Sequence, residues 1–168
     1  MFKDIRETAI SVVSKVFETM FYLFIETSEE VEGTEPSKGK PPQIIGKQGE
    51  KSPPPFLRSE IGFQGKNSGK IRLYIPYDLA RRLTANFMGV EENELPESQV
   101  MDMAGELNNM LAGNLFSLLD KTNGYQLTVP ITERIVDLET KDRPESSTVT
   151  LNFNVDNQGL KLSIQFES

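Results

Sequence analysis

Over residues 2–27 apolar side chains recur at helical spacing. Phe2, Ile5, Ala9, Val12, Val13, Val16, Met20, Leu23 and Phe24 share one wide face, and Lys3, Glu7, Ser11 and Lys15 fall largely outside it. This predicts one long helix, widened by the apolar run at 21–25, which could cover a sheet or meet a second subunit. The period then shortens. Ile61 and Phe63, and then Ile71, Leu73 and Ile75, alternate with polar residues on either side of Gly65-Lys66-Asn67-Ser68-Gly69, which predicts a β-hairpin over 57–64 and 70–75. Pro76 opens a helix with Leu79, Ala80, Leu83, Phe87 and Met88 on its apolar face and Gly89 at its exit. Pro96 opens another, with Glu97 in the first turn where the helix dipole favours a carboxylate, running to about Thr122. Residues 126–138 read as a strand bent at Pro130. A second hairpin follows over 148–155 and 160–166, through Asp156-Asn157-Gln158-Gly159, with Val149, Leu151, Phe153 and Val155 alternating. Clustered helices and turn-linked strands predict an α+β fold: a mainly antiparallel sheet packed against two long helices and one shorter helix.

Residues 28–55 differ in kind. They hold six prolines, four glycines and nine charges, with Val31, Ile44 and Ile45 as their apolar residues. Such a segment buries too little surface to offset the entropy of ordering it. It is expected to be a surface loop within a single domain over 1–168, with a short strand near 43–46. It is not expected to divide two domains, because the residues before it are too few to fold alone.

Composition narrows the chemistry. The chain has 168 residues, no His, no Cys, no Trp and a net charge of −7. Triads built on His or Cys are excluded, and the usual zinc ligands are missing. The acidic balance argues against nucleic acid. The N-terminus lacks the order of a signal peptide, and the longest apolar stretch, 20–25, is far short of the roughly 20 residues of a membrane span. A cytoplasmic protein with no membrane partner is expected.

The segment at 99–113 carries the chemistry. At about 100° per residue, Val100, Met103, Ala104, Leu107, Leu111 and Leu118 share the core side. Asp102, Glu106, Asn109 and Gly113 fall within about 60° of one another on the opposite side, and Asn108 lies off that stripe. Gly105, Ala112 and Gly113 flank or join it. A helix-interior Gly costs roughly 1 kcal/mol against Ala, so three-dimensional context must make up for it. The stripe offers a carboxylate and a carboxamide one turn apart with little bulk around them, which suits insertion into a partner's pocket.

On these residues the chain resembles the CheC/CheX-type chemotaxis phosphatases, the CheX branch in particular. Asp102, Glu106, Asn109 and the later Pro130 match the family pattern Asp/Ser-x3-Glu-x2-Asn…Pro in order, and the text from Gly105 to Gly113 is especially close. The resemblance extends to Val16-Phe17-Glu18-Thr19-Met20, to 69–89 and to the C-terminal hairpin. It implies hydrolysis of the aspartyl phosphate of a CheY-type receiver domain. Asn109 would orient the attacking water and Glu106 would pair with the receiver's active-site Lys. Asp102, Gly105 and Gly113 would contact the partner. This chain would hold no metal or cofactor; the receiver would supply the phosphorylated Asp, the Lys and a Mg²⁺ ion. The resemblance also implies a homodimer through sheet edges. Two departures stand out. Glu18 is followed three residues later by Phe21, so one active site per chain is expected. The insert at 28–55 is longer than the family resemblance suggests. Two other readings compete: a non-catalytic signalling or flagellar-switch adaptor with Glu106 as a docking residue, and a small-molecule hydrolase using Asp102 and Glu106. The last is the poorer, since nothing in the sequence marks a pocket around that pair.

Overall fold

The computed structural model describes residues 2–28, 55–122, 124–136 and 147–167. Most of the insert at 28–55, including the strand expected near 43–46, lies outside them. So do residues 137–138 of the predicted bent strand.

The first helix, α1 (Phe2–Phe21), buries Ile5, Ala9, Val12, Val13, Val16 and Phe17. It ends six residues before the periodicity suggests. Tyr22 takes a left-handed φ of 55°, and the Leu23 N–H donates back to the Phe17 carbonyl at 3.2 Å. Beyond it Leu23 and Ile25 are half-buried while Phe24 is exposed, so the true period there is two. A short apolar run fits both templates, and here the chain leaves the helix after Phe21 and leads into a strand. Glu26–Ser28 forms β1.

β2 (Phe56–Gln64) and β3 (Gly69–Pro76) are the predicted hairpin. Leu57, Ser59, Ile61 and Phe63 turn inward on β2, as do Ile71, Leu73 and Ile75 on β3. Tyr74 is buried on the other face, between Arg58 and Lys161 in the ladder, with the Lys161 ammonium 5.0 Å from its ring centre. Next come α2 (Tyr77–Met88), a single 3₁₀ turn (Glu92–Glu94) and α3 (Glu97–Leu119). α2 closes on Gly89 at φ 68°, a conformation that glycine adopts without strain. Phe87 and Met88, expected on its apolar face, are exposed; Thr84 and Ala85 are buried instead. Both stand in the last turn of α2, and Phe87 meets the edge of Phe21, ring centres 6.2 Å apart.

α3 ends at Leu119, not near Thr122. The Asp120 carboxylate accepts from the Thr122 N–H (2.9 Å) and hydroxyl, a local bond that competes with helix continuation. β4 (Gln126–Leu127) and β5 (Ile131–Ile135) replace the bent strand, and both pair with β2. β6 (Thr148–Val155) and β7 (Gln158–Phe166) make the last hairpin. Its turn is two residues, Asp156 and Asn157, both at positive φ, and not the four expected.

The strands form one antiparallel sheet, ordered β1-β6-β7-β3-β2-β4 with β5 also on β2. With three α-helices on one face of it, the fold is α+β, as predicted. α3 lies on β2 and β3, flanked by α1 and α2. No helix among the described residues is long and apolar enough to cross a membrane.

On the outer face, Arg72 Nε donates to Glu60 at 2.7 Å and Lys70 lies 3.3 Å from the same carboxylate. Partial burial would push the Glu60 carboxyl up. The hydrogen bonds and charges of Arg72 and Lys70 outweigh it and hold the pKa below its ordinary 4.5. A carboxyl lowered in the folded state stabilises the fold fully above its unfolded value and loses that contribution as pH falls through the folded one. Glu60→Gln should therefore lower stability at neutral pH and flatten the acid limb of a Tm-against-pH curve. An acid limb identical to wild type would contradict this.

Candidate functional site

Every candidate residue of the first rank stands on α3, so its seating decides their geometry. Pro96 precedes the helix with extended dihedrals, and Glu97 in the first turn accepts from Arg134 of β5 at 3.0 Å. The face toward the sheet buries Val100, Ala104, Leu107, Leu111, Leu115 and Phe116. Leu118, expected on that face, is exposed, because the helix end runs past the sheet's cover. Ala112, expected to flank the polar stripe, is fully buried.

Asn108 lies inside the core. Its amide donates to the Ser59 carbonyl at 2.9 Å and stands 3.3 Å from the Ser59 hydroxyl and 3.5 Å from the Ile71 carbonyl. Its Oδ1 is buried without a partner. A polar side chain in this position ties the middle of α3 to the backbone of β2. Its neighbour Asn109, about 100° further round the helix, is half-buried beside exposed Glu106 and half-buried Gly113. Asp102 is exposed one turn before Glu106. A Cβ on Gly113 would meet nothing within 4 Å, so the stripe opens to free space there.

Gly105 does something else. It is buried, and a Cβ there would sit 3.1 Å from the Thr132 hydroxyl and 3.5 Å from the Pro130 ring. Its missing side chain makes room for the chain's own Thr132 hydroxyl, with the Pro130 ring at ordinary contact distance. Pro130 itself lies in a bulge: between Leu127 and Ile131, residues Thr128, Val129 and Pro130 stand opposite two residues of β2, Ile61 and Gly62. Gly62 anchors the bulge from both groups, its carbonyl accepting from the Thr128 N–H and its N–H donating to the Thr128 hydroxyl. The extra residue bends the strand across α3.

An open groove of about 400 Å³ runs between them, walled by Met101, Asp102 and Gly105 on one side and Val129, Pro130 and Thr132 on the other. No local pattern in the sequence announces it. The only traces were Pro130 inside an alternating stretch and the helix-interior Gly105, whose meeting depends on a long-range contact. Among its walls Asp102 is the single carboxylate, so the groove lacks the paired carboxylates of the hydrolase reading. Among the described residues no cluster of three or more Asp, Glu, His or Cys side chains could hold a metal ion. What the arrangement can do is present a carboxylate and an amide, preorganised on a rigid helix, to groups carried by another molecule.

Comparison with known proteins follows from this region. The family model described as chemotaxis phosphatase CheX matches residues 59–154, a span holding all of α3 and the groove. No curated protein matches by sequence. Among solved structures the chain is similar to chemotaxis protein CheX from Vibrio vulnificus, with TM-score 0.73 and 18% identity over 99% of each chain. A CheC-like superfamily protein from Shewanella sp. PV-4 gives TM-score 0.72 and 17% identity over 98% of each. A chain of the CheX–CheY–BeF₃–Mg²⁺ complex from Borrelia burgdorferi gives 0.66 and 15%, over 98% of this chain and 99% of that one. At such identities the structural likeness is one of fold.

Asn108→Ala should cost about 1–3 kcal/mol in urea unfolding, since it removes the buried hydrogen bond that ties α3 to β2. Asn114→Ala removes an amide that only reaches back to the Met110 carbonyl on the exposed side, at 2.8 Å. It should stay within about 0.5 kcal/mol of wild type. Equal effects of the two would remove Asn108 from its place as a tie between helix and sheet.

Proposed function

The chain belongs to the chemotaxis phosphatase CheX family, and from that premise we propose that it hydrolyses the aspartyl phosphate of a CheY-type receiver domain, using Asn109 to orient water and Glu106 to engage the receiver's active-site Lys. The observation that carries the reading is the placement of Glu106 and Asn109 side by side on the outward face of α3, while Asn108 is turned into the core. A relative's complex with CheY, BeF₃ and Mg²⁺ supports the class of partner, because beryllofluoride imitates a phosphoryl group.

The reaction is an in-line displacement. The water oxygen forms a bond to phosphorus, the bond from phosphorus to the aspartyl oxygen breaks, and the Asp leaves as a carboxylate. The water's proton passes to a phosphate oxygen or to solvent. The Asn109 carbonyl oxygen accepts a hydrogen bond from the water and aims its lone pair at phosphorus, a role that needs no tuned pKa. The Glu106 carboxylate pairs with the receiver's Lys and fixes the register of the two proteins. Asp102, one turn away, contacts the partner's rim, and the space over Gly113 admits the receiver's loop. The Mg²⁺ belongs to the receiver, where it offsets charge on the phosphoryl oxygens. Positioning and electrostatics do most of the work in such transfers, which is why a chain without His or Cys can serve.

A homodimer through sheet edges remains part of this reading: β1 lies at one edge and β4 with β5 at the other, where a second copy could pair. The adaptor reading keeps Glu106 but gives Asn109 no task. The position of Asn109 beside Glu106 favours the phosphatase.

Asn109→Ala should lower the kcat for phosphate release by about 10²-fold with the KM little changed, since it removes the group that positions water. Glu106→Ala should lower kcat and raise KM together. Both should unfold as wild type does. Wild-type turnover in either variant would remove that residue from the mechanism.

A further inference from the structure

We propose that the groove beside Pro130 takes an apolar side chain of the same receiver that offers its phosphoryl group to Asn109, and that Val129 sets which receivers fit. This rests on the phosphatase reading and extends it to partner choice. Three observations carry it.

The groove and the stripe are continuous. Asp102 belongs to both, and Gly105 stands between Asp102 and Glu106 on the helix and lines the groove. From Ser98 to Gly113, α3 spans about 22 Å at 1.5 Å per residue. A stable protein contact covers about 800 Å² on each partner, so a receiver seated on Glu106 and Asn109 also covers the groove one to two turns away.

Its chemistry matches such a partner. The walls hold apolar Met101, Val129 and Pro130 beneath an acidic rim of Asp102, with Glu106 next along the helix. An apolar side chain flanked by the cation that Glu106 engages satisfies both at once. Buried apolar contact at the centre of an interface supplies affinity, and the charges at its rim supply register.

Val129 lies outside the buried core. It is 81% exposed, and the bulge's extra residue holds it out on the groove's outer lip. A large apolar side chain so placed can be changed without opening a cavity.

The test uses a receiver that the wild-type chain dephosphorylates. Binding is measured by calorimetry with the receiver loaded with beryllofluoride and Mg²⁺, and turnover is measured with the phosphorylated form. Val129→Lys, which puts a cation where the receiver's own Lys must approach, should weaken binding and raise KM by about tenfold or more. The kcat at saturation and the Tm should stay at wild type, and Val129→Ile should restore binding. A Kd for Val129→Lys within twofold of wild type, while Asn109→Ala still loses turnover, overturns the groove's role and leaves the phosphatase reading standing. A fall in kcat with unchanged Kd overturns it as well, because Val129 would then act on the chemistry. If Asn109→Ala turns over as wild type does, the phosphatase reading fails and this proposal fails with it.

Discussion

The seating of α3 on the β2–β3 hairpin is the constraint from which the site follows. One helix of 23 residues carries both the core and the candidate chemistry. Because its period is 3.6, burying Ala104, Leu107 and Leu111 forces Asp102, Glu106 and Asn109 outward. Asn108 adds a polar tie at the midpoint of that contact, its amide on the Ser59 carbonyl. Apolar packing tolerates small slips, whereas a buried amide must find its acceptors. The unpartnered Oδ1 shows that the tie comes at a cost.

A second contact joins this one. Gly105 leaves room for Thr132 with Pro130 against it, and the bulge that carries Pro130 is held to β2 by the bonds between Thr128 and Gly62. The same strand therefore receives Asn108 from the helix and anchors the bulge that faces it. The helix and the bulge are thus placed by one common scaffold, and the groove between them has fixed walls. A rigid scaffold of this kind suits a mechanism that relies on placing groups and not on activating them.

Much of this was legible in the sequence, and the gaps have physical causes. The hairpins and the starts of α2 and α3 could be read because local signals, alternation and proline, agree with the tertiary result. So could the split between Asn108 and Asn109, which needs only the helical period. The end of α1 was misread because a five-residue apolar run satisfies both periods, and the pairing of β1 with β6 decides it. Phe87, Met88 and Leu118 were misread because apolar residues near helix ends overshoot the sheet below. Gly105 is legible as a small residue beside the stripe, but what packs against it is not. Its partner Pro130 is 25 positions on, and no local pattern reports a contact of that range. The groove escaped for the same reason.

The central claim is that a helix face without His, Cys or a metal speeds hydrolysis by what it positions on a partner. The most direct test is single-turnover loss of phosphate from an isolated, phosphorylated CheY-type receiver, with the protein present in saturating excess or absent. The account predicts that phosphate leaves faster with the protein, by at least about tenfold, as a gain of 1.4 kcal/mol in transition-state stabilisation would give. A receiver that binds the protein yet keeps its own phosphate lifetime would contradict it.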